Sequence, residues 1–252
     1  NVVPGKTKAA VEGFEMAALE KAAAETKEET GISFEFAAEG TVTEITATGI
    51  GAHASTPDVG NNALTGLLVF LGKLDFASCP QVDMVRKTAS LFPHGDVNGK
   101  TLGVAMEDEL SGNLTLSFNM LSVDAASMDG EFDGRIPVCG NDENVLEVVR
   151  ARMAEQGLTL LNKALIPPHH VSADSYFVKT LLAAFELYTG RKGECQALGG
   201  GTYVHHLENG VAFGAAMPET DNKMHGPDEF AVVDELLVSA KIFAQAIVDL
   251  CG

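Results

Sequence analysis

The stretch Gly49-Ile-Gly-Ala-His53-Ala-Ser-Thr-Pro-Asp58-Val-Gly-Asn-Asn-Ala63 decides how this chain is read. A strand ends where it begins, two glycines permit unusual backbone angles, and a histidine sits in the turn ahead of a helix. Imidazole suits proton transfer or oxyanion stabilisation near neutral pH; a loop histidine satisfied by local hydrogen bonds is the plain alternative. Working toward the N-terminus, Thr41 to Thr48 and Ile32 to Phe36 alternate and are rich in β-branched residues, which predicts two strands. Before them, Ala9, Ala10, Phe14, Ala17, Ala18 and Leu19 lie close to helical spacing among Ala, Glu and Lys, so a helix is predicted over 6–29, stopped by Gly31. Toward the C-terminus, residues 61–74 (NNALTGLLVFLGKL) read as a buried helix capped by the Asn pair. Residues 75–95 hold shorter helical pieces ending at Pro93.

Strands are expected at Thr101–Met106, Gly112–Ser122, Gly130–Pro137 and Leu158–Leu165, with a helix over 141–156 whose first turn is acidic. Helices mixed with antiparallel strands make this an α+β layer arrangement. Pro167 and Pro168 mark a boundary. Beyond it, helices at 174–189 and 232–249, a helix start at 201–208, and strands at 194–198 and 210–214 suggest an α/β layer, but two short strands cannot complete one. The expected organisation is a two-layer domain over residues 1–165, helices on an antiparallel sheet, and an incomplete α/β segment over 166–252.

The charge, 35 acidic against 17 basic residues, is −18. That field repels phosphate backbones, which argues against a nucleic-acid partner. No apolar run reaches the roughly 20 residues that span a bilayer, so no membrane partner is expected. Cys79, Cys139, Cys195 and Cys251 are scattered, without CxxC or zinc-finger spacing, as reduced thiols of a cytoplasmic protein would be. The chain starts at Asn1 and shows no signal-peptide pattern, which suggests a processed or excised piece of something longer.

Three further motifs could carry chemistry. Leu198-Gly199-Gly200-Gly201-Thr202-Tyr203 would let a backbone approach a ligand and aim N–H groups at it, although no phosphate-loop lysine follows and a tight turn reads equally well. His225, in Met224-His225-Gly226-Pro227, is a potential zinc ligand but needs two or three partners. Arg135, in Phe132-Asp133-Gly134-Arg135-Ile136-Pro137, offers a fork for a carboxylate, or pairs with one of the many surface acids. The neighbours His169/His170 and His205/His206 do not share a face and are not read as metal clips.

Taken in order, Asn1-Val-Val-Pro-Gly, Gly51-Ala-His53-Ala-Ser-x-Pro-x-x-Gly60, Gly134-Arg135-x-Pro137, Gly199-Gly-Gly-Thr-Tyr203, Gly210-Val-Ala-Phe-Gly214 and Met224-His225 resemble the zinc-dependent dipeptidase and aminoacylase family. The likeness is greatest to PepV-type dipeptidases, a group that includes carnosinase-like enzymes. The resemblance implies a lid domain followed by the end of a catalytic domain, a short-peptide or dipeptide substrate, a homodimer as one assembly, and two zinc ions with at most one ligand present here, His225. It implies an oxyanion-stabilising role for His53, substrate contacts from Asn1 and from Gly199, Gly200, Gly201 and Thr202, and a carboxylate-binding role for Arg135. In such enzymes the metals activate a water that attacks the scissile carbonyl.

The family's other metal ligands belong upstream of Asn1, so the resemblance implies a missing N-terminal catalytic half and an inactive fragment. Relatives commonly carry arginine where this chain has His205. Two alternatives stay open: an N-acyl amino acid deacylase of the same family, and a non-catalytic binding or dimerisation module.

Overall fold

The computed structural model describes residues 1–125, 127–214, 217–223 and 228–252. The chain is α+β and divides into two compact units, Asn1–Pro168 and His169–Gly252. No described helix is long and apolar enough to cross a membrane.

The first unit starts with the two-residue strand β1 (Val2–Val3) and strand β2 (Lys6–Glu12), where the sequence predicts helix. The Lys and Ala content has helical propensity, but propensity is a weak prior that non-local pairing overrides. Helix α1 (Met16–Thr30) follows, built from Ala, Glu, Lys and Leu. It ends at Gly31, whose left-handed backbone (φ 74°) lets its N–H reach the Lys27 carbonyl. Strands β3 (Ser33–Glu39) and β4 (Val42–Thr48) complete an antiparallel sheet ordered β2-β4-β3, so the central strand carries the fully buried Ile45 and Ala47.

Strand β5 (Ala52–His53) pairs with β1, and helix α2 (Ala63–Gly72) begins ten residues after His53, at Ala63. Asn62 caps α2, its side-chain oxygen accepting from the Leu64 and Thr65 N–H groups at 2.9 and 3.1 Å. Helix α2 is buried on nearly every side, as its sequence demands. Leu67 and Phe70 join Leu19, Ile32 and Ile45 in one core. Leu64 and Leu68 join Leu91, Phe92, Leu114, Phe118 and Val149 in the other. Gly66 makes the first contact possible: a Cβ there would lie 2.4 Å from Ile32 Cγ1.

Helix α3 (Pro80–Leu91) opens with proline in its first turn, where no N–H is needed. Then come the short hairpin β6 (Glu107–Asp108) and β7 (Gly112–Asn113), and the longer antiparallel pair β8 (Thr115–Val123) and β9 (Met128–Arg135), irregular between Phe118 and Met120. The expected strand at 101–106 is absent; Asp96 instead gathers the Lys100 and Thr101 N–H groups at 3.0 and 2.7 Å, folding that stretch into turns. A π-type turn capped by Asn141 leads into helix α4 (Glu147–Glu155). Leu158–Leu165 is not a strand either. Leu158, Leu160 and Leu165 pack on the core, while Arg150 Nη2 and Asp142 Oδ1 hold the Asn162 carbonyl and Leu165 N–H, both at 2.8 Å, so no ladder is needed.

The second unit is a helix pair. Helix α5 (Tyr176–Thr189), capped by Ser175, packs on helix α6 (Val233–Cys251) through Leu181, Ala184, Ile242 and Ala246. A 3-10 turn spans Tyr203–His206. The strands expected at 194–198 and 210–214 are not formed, and this unit has no strand among the described residues. Val211 and Phe213 pack against the helix pair instead of entering a ladder.

Candidate functional site

The site builds from the pairing of β1 with β5. The register Val2↔His53 sets the imidazole beside the first residues of the chain, and the Ala54 N–H donates to the Asn1 carbonyl at 3.0 Å. Gly49 lets the loop close tightly: a Cβ there would lie 2.1 Å from the Asn61 carbonyl oxygen. Ile50 and Asn61 then exchange backbone hydrogen bonds at 2.9 and 2.8 Å. Asn61 Nδ2 donates to the Thr30 carbonyl and Asn62 Nδ2 to the Phe118 carbonyl. Thus the loop carrying His53 is anchored to α1, β1 and β8 rather than left free.

His53 is half-buried. Its Nδ1 accepts the Ser55 N–H at 3.2 Å and lies 2.7 Å from Ser55 Oγ. An acceptor at Nδ1 needs a lone pair there, so the neutral ring carries its proton on Nε2. The ring therefore keeps one N–H donor, and no protein acceptor holds it among the hydrogen bonds of the described residues.

The pair β8–β9 brings Arg135 to the same neighbourhood. Thr115 sits opposite Arg135 in the register, and Thr115 Oγ1 donates to the Ala54 carbonyl at 3.5 Å. In the orientation that satisfies both of its ends, the Asn119 amide donates to the Val2 and Ser117 carbonyls, both at 3.1 Å. Asn1, His53 and Arg135 are thereby gathered by β1, β5, β8 and β9. Asp133, which sequence reasoning passed over, holds Arg135 in a fork: Nε to Oδ1 at 2.6 Å and Nη2 to Oδ2 at 2.9 Å. Two-residue spacing on a strand puts both side chains on one face, and that signal was available in the sequence.

The second unit carries the glycine loop. Gly199, Gly200, Gly201 and Thr202 are exposed, and at Gly200 and Gly201 an added Cβ would meet no atom within 4 Å. Neither crowding nor a left-handed backbone calls for glycine there. Thr202 Oγ1 accepts the Val204 N–H at 3.4 Å, starting the 3-10 turn that contains His205. His169 and His205, one from each adjacent pair, have ring centroids 5.7 Å apart, and His169 Nε2 lies 2.6 Å from the Gly210 carbonyl. His225 lies outside the described residues. Among the described residues, no three His, Cys, Asp or Glu side chains cluster closely enough to hold a metal ion.

Two perturbed groups sit beside these elements. Burial lowers the pKa of His94, opposed by the Thr30 carbonyl and the Glu29 charge, and its Nδ1 lies 2.9 Å from Thr65 Oγ1 on α2. Burial alone would raise the Asp96 carboxyl; the N–H groups of Thr101, Lys100 and Asn98 outweigh it and hold its pKa below the usual carboxylate value.

Comparison with known proteins places relatives beside this geometry. No protein-family model matches the chain. It is 32% identical over 251 residues to the Beta-Ala-Xaa dipeptidase of Lactobacillus delbrueckii subsp. lactis, covering 99% of this chain and 53% of that protein. It is 37% identical over 207 residues to YtjP of Bacillus subtilis, named as a dipeptidase, covering 80% and 43% respectively. A Staphylococcus epidermidis protein also named as a dipeptidase is 29% identical over 209 residues, 82% of this chain and 44% of that one. The chain therefore spans about half the length of the curated relatives it matches.

Proposed function

From a chain related to bacterial dipeptidases over as much as 99% of its length, we propose that this is the substrate-recognition part of a zinc-dependent dipeptidase acting on short peptides. The observation that carries the reading is the gathering of Asn1, His53 and Arg135 by two non-local strand pairs, with an N–H donor on His53 that no acceptor holds among the described residues. In this proposal the chain alone is inactive, and residues supplied by a longer polypeptide complete the metal shell around His225. A cytoplasmic location and a homodimer belong to the same proposal.

The chain's own groups have distinct tasks in this reading. Arg135 takes the free carboxylate of the dipeptide on the guanidinium edge that Asp133 leaves open, a charge-assisted and directional contact. His53 Nε2–H donates to the scissile carbonyl oxygen and strengthens as negative charge develops there; a fixed donor of this kind favours the transition state over bound substrate. Ser55 keeps the ring in the tautomer that can donate. Asn1 contacts the peptide backbone in this reading. Zinc, when bound, would activate the attacking water and polarise the carbonyl.

The test uses the full-length enzyme. Dipeptide hydrolysis should be lost on chelation and restored by zinc, and the His53→Ala variant should lose roughly 100-fold or more in kcat, as removal of an oxyanion donor does. Hydrolysis that survives metal removal, or an unchanged kcat in His53→Ala, would refute the proposal. Cleavage of N-acyl amino acids but not dipeptides would move the assignment to a deacylase.

A further inference from the structure

We infer that Asp133 is a positioning residue that presents Arg135 to the substrate carboxylate; this rests on the role proposed for Arg135 above. The guanidinium has five N–H groups. Asp133 engages Nε–H and one hydrogen of Nη2, at 2.6 and 2.9 Å. Among the described residues no acceptor holds the other hydrogens; one hydrogen of Nη1 and the second of Nη2 form the outer edge of the plane. That edge accepts a second carboxylate in the same two-point manner without displacing the first.

The surroundings support an orienting role over a surface ion pair. Both side chains are about three-quarters buried, with relative exposures of 24% for Arg135 and 21% for Asp133. Both rise from the same face of β9, opposite Thr115 and Ser117 of β8. Thr115 is the residue that contacts the Ala54 carbonyl next to His53. A fork locked at this place fixes the distance between the carboxylate-binding edge and the imidazole, which sets which peptide bond lies against His53. An arginine held before substrate arrives also loses less side-chain entropy on binding. The charge balance adds a reason: among 35 acidic residues, an unheld arginine has many competing carboxylates, and Asp133 pre-empts them.

The experiment compares a dipeptide with its C-terminal amide in the full-length enzyme, for wild type, Asp133→Asn, Asp133→Glu and Arg135→Ala, with thermal melts to establish folding. Asp133→Asn is expected to raise KM for the free-carboxylate dipeptide roughly 3–10-fold with kcat within about twofold, and to leave the amide unchanged, the size of one weakened charged hydrogen bond. Asp133→Glu keeps the charge but displaces it by a methylene, so it should shift the same preference by a smaller factor; it carries the test if Asp133→Asn does not fold. An unchanged carboxylate-over-amide preference in these variants overturns the inference. A KM that falls in Asp133→Asn also overturns it, because Asp133 would then compete with substrate. If Arg135→Ala abolishes the preference while the Asp133 variants do not touch it, only the positioning role fails. If Arg135→Ala leaves it intact, the role proposed for Arg135 has failed as well.

Discussion

Helices α2 (ALTGLLVFLG) and α6 (VDELLVSAKIFAQAIVDLC) use nearly the same apolar alphabet and meet opposite surroundings. In α2 almost every side chain is buried, and its two sides feed two cores. In α6 only Ser239, Ile242 and Ala246 are buried, while Leu237, Ile247 and Val248 stand about 60% exposed. A helix that is apolar all round asks to be covered all round. The first unit supplies that cover from β-sheet, α1, α3 and the β8–β9 pair. The second, among the described residues, supplies one partner helix and a loop. Apolar pattern therefore states a demand; whether the demand is met depends on what the rest of the polypeptide brings.

The sharpest way to break the comparison is Phe70→Ala. Phe70 is fully buried and contacts the rings of Phe34 and Phe36 at 4.7 and 6.1 Å. The substitution should destabilise the first unit by about 3–5 kcal/mol, the usual cost of deleting a buried ring. The two units can be followed separately. The chain has no tryptophan, and its three tyrosines, Tyr176, Tyr188 and Tyr203, all lie in the second unit. Tyrosine fluorescence thus reports on the helix pair, while hydrogen exchange on α1, α2 and β4 reports on the first unit. Loss confined to the first unit is expected; a tyrosine transition that moves equally would mean the two units unfold as one.

Gly66→Ala tests the close approach of α2 to Ile32. Alanine favours helix by up to about 1 kcal/mol over glycine. Ile32 is fully buried, however, and the new Cβ would sit 2.4 Å from its Cγ1. Overpacking costs about 1–3 kcal/mol, so a net loss in the urea midpoint of the first unit is expected, and a gain would show that Ile32 can move aside. Asn62→Ala should cost about 1–2 kcal/mol in the same assay, toward the upper end, because the Phe118 carbonyl loses its donor together with the cap.

The reach of the sequence follows the range of each signal. The cap and body of α2 could be read because Asn62 and the apolar run are local. β2 could not: its partner is β4, with Ala9 facing Ile45, and nothing in KTKAAVE announces a pairing that distant. The strand expected at 210–214 failed for a related reason, since Val211 and Phe213 favour a ladder only when a neighbouring strand exists, and 194–198 (ECQAL) lacks β-branched and aromatic residues altogether. At the candidate site, His53 and Arg135 could be singled out by residue type. Their gathering could not, because it depends on the Val2↔His53 and Thr115↔Arg135 registers. Asp133 was within reach by strand spacing but was hidden among many acids.

A smaller effect separates the units by pH. Burial lowers the pKa of His94 below the ordinary value of 6.5. The unfolded chain then binds the proton more tightly than the folded one, so stability from this group is full above about pH 6.5 and declines as pH falls toward the folded value. The decline should appear in exchange protection of the first unit and be absent from the tyrosine transition at equal pH. His94→Gln should flatten it; a slope that survives the substitution would assign it to other groups.

The smallest effect is the most telling. Ile247 on α6 is 62% exposed. Ile247→Ala should change the stability of the second unit by no more than about 0.5 kcal/mol, the range of surface substitutions, although the same change inside α2 would be costly. Tyrosine fluorescence in urea measures it directly. A cost above about 2 kcal/mol, typical of a buried isoleucine, would mean that something covers this face of α6 in solution, and the contrast with α2 would dissolve. A neutral result leaves a helix whose apolar pattern fits burial on more sides than its own unit covers. In the longer enzyme proposed above, the same substitution should then become costly, because a face of this kind is bare only while its cover is elsewhere.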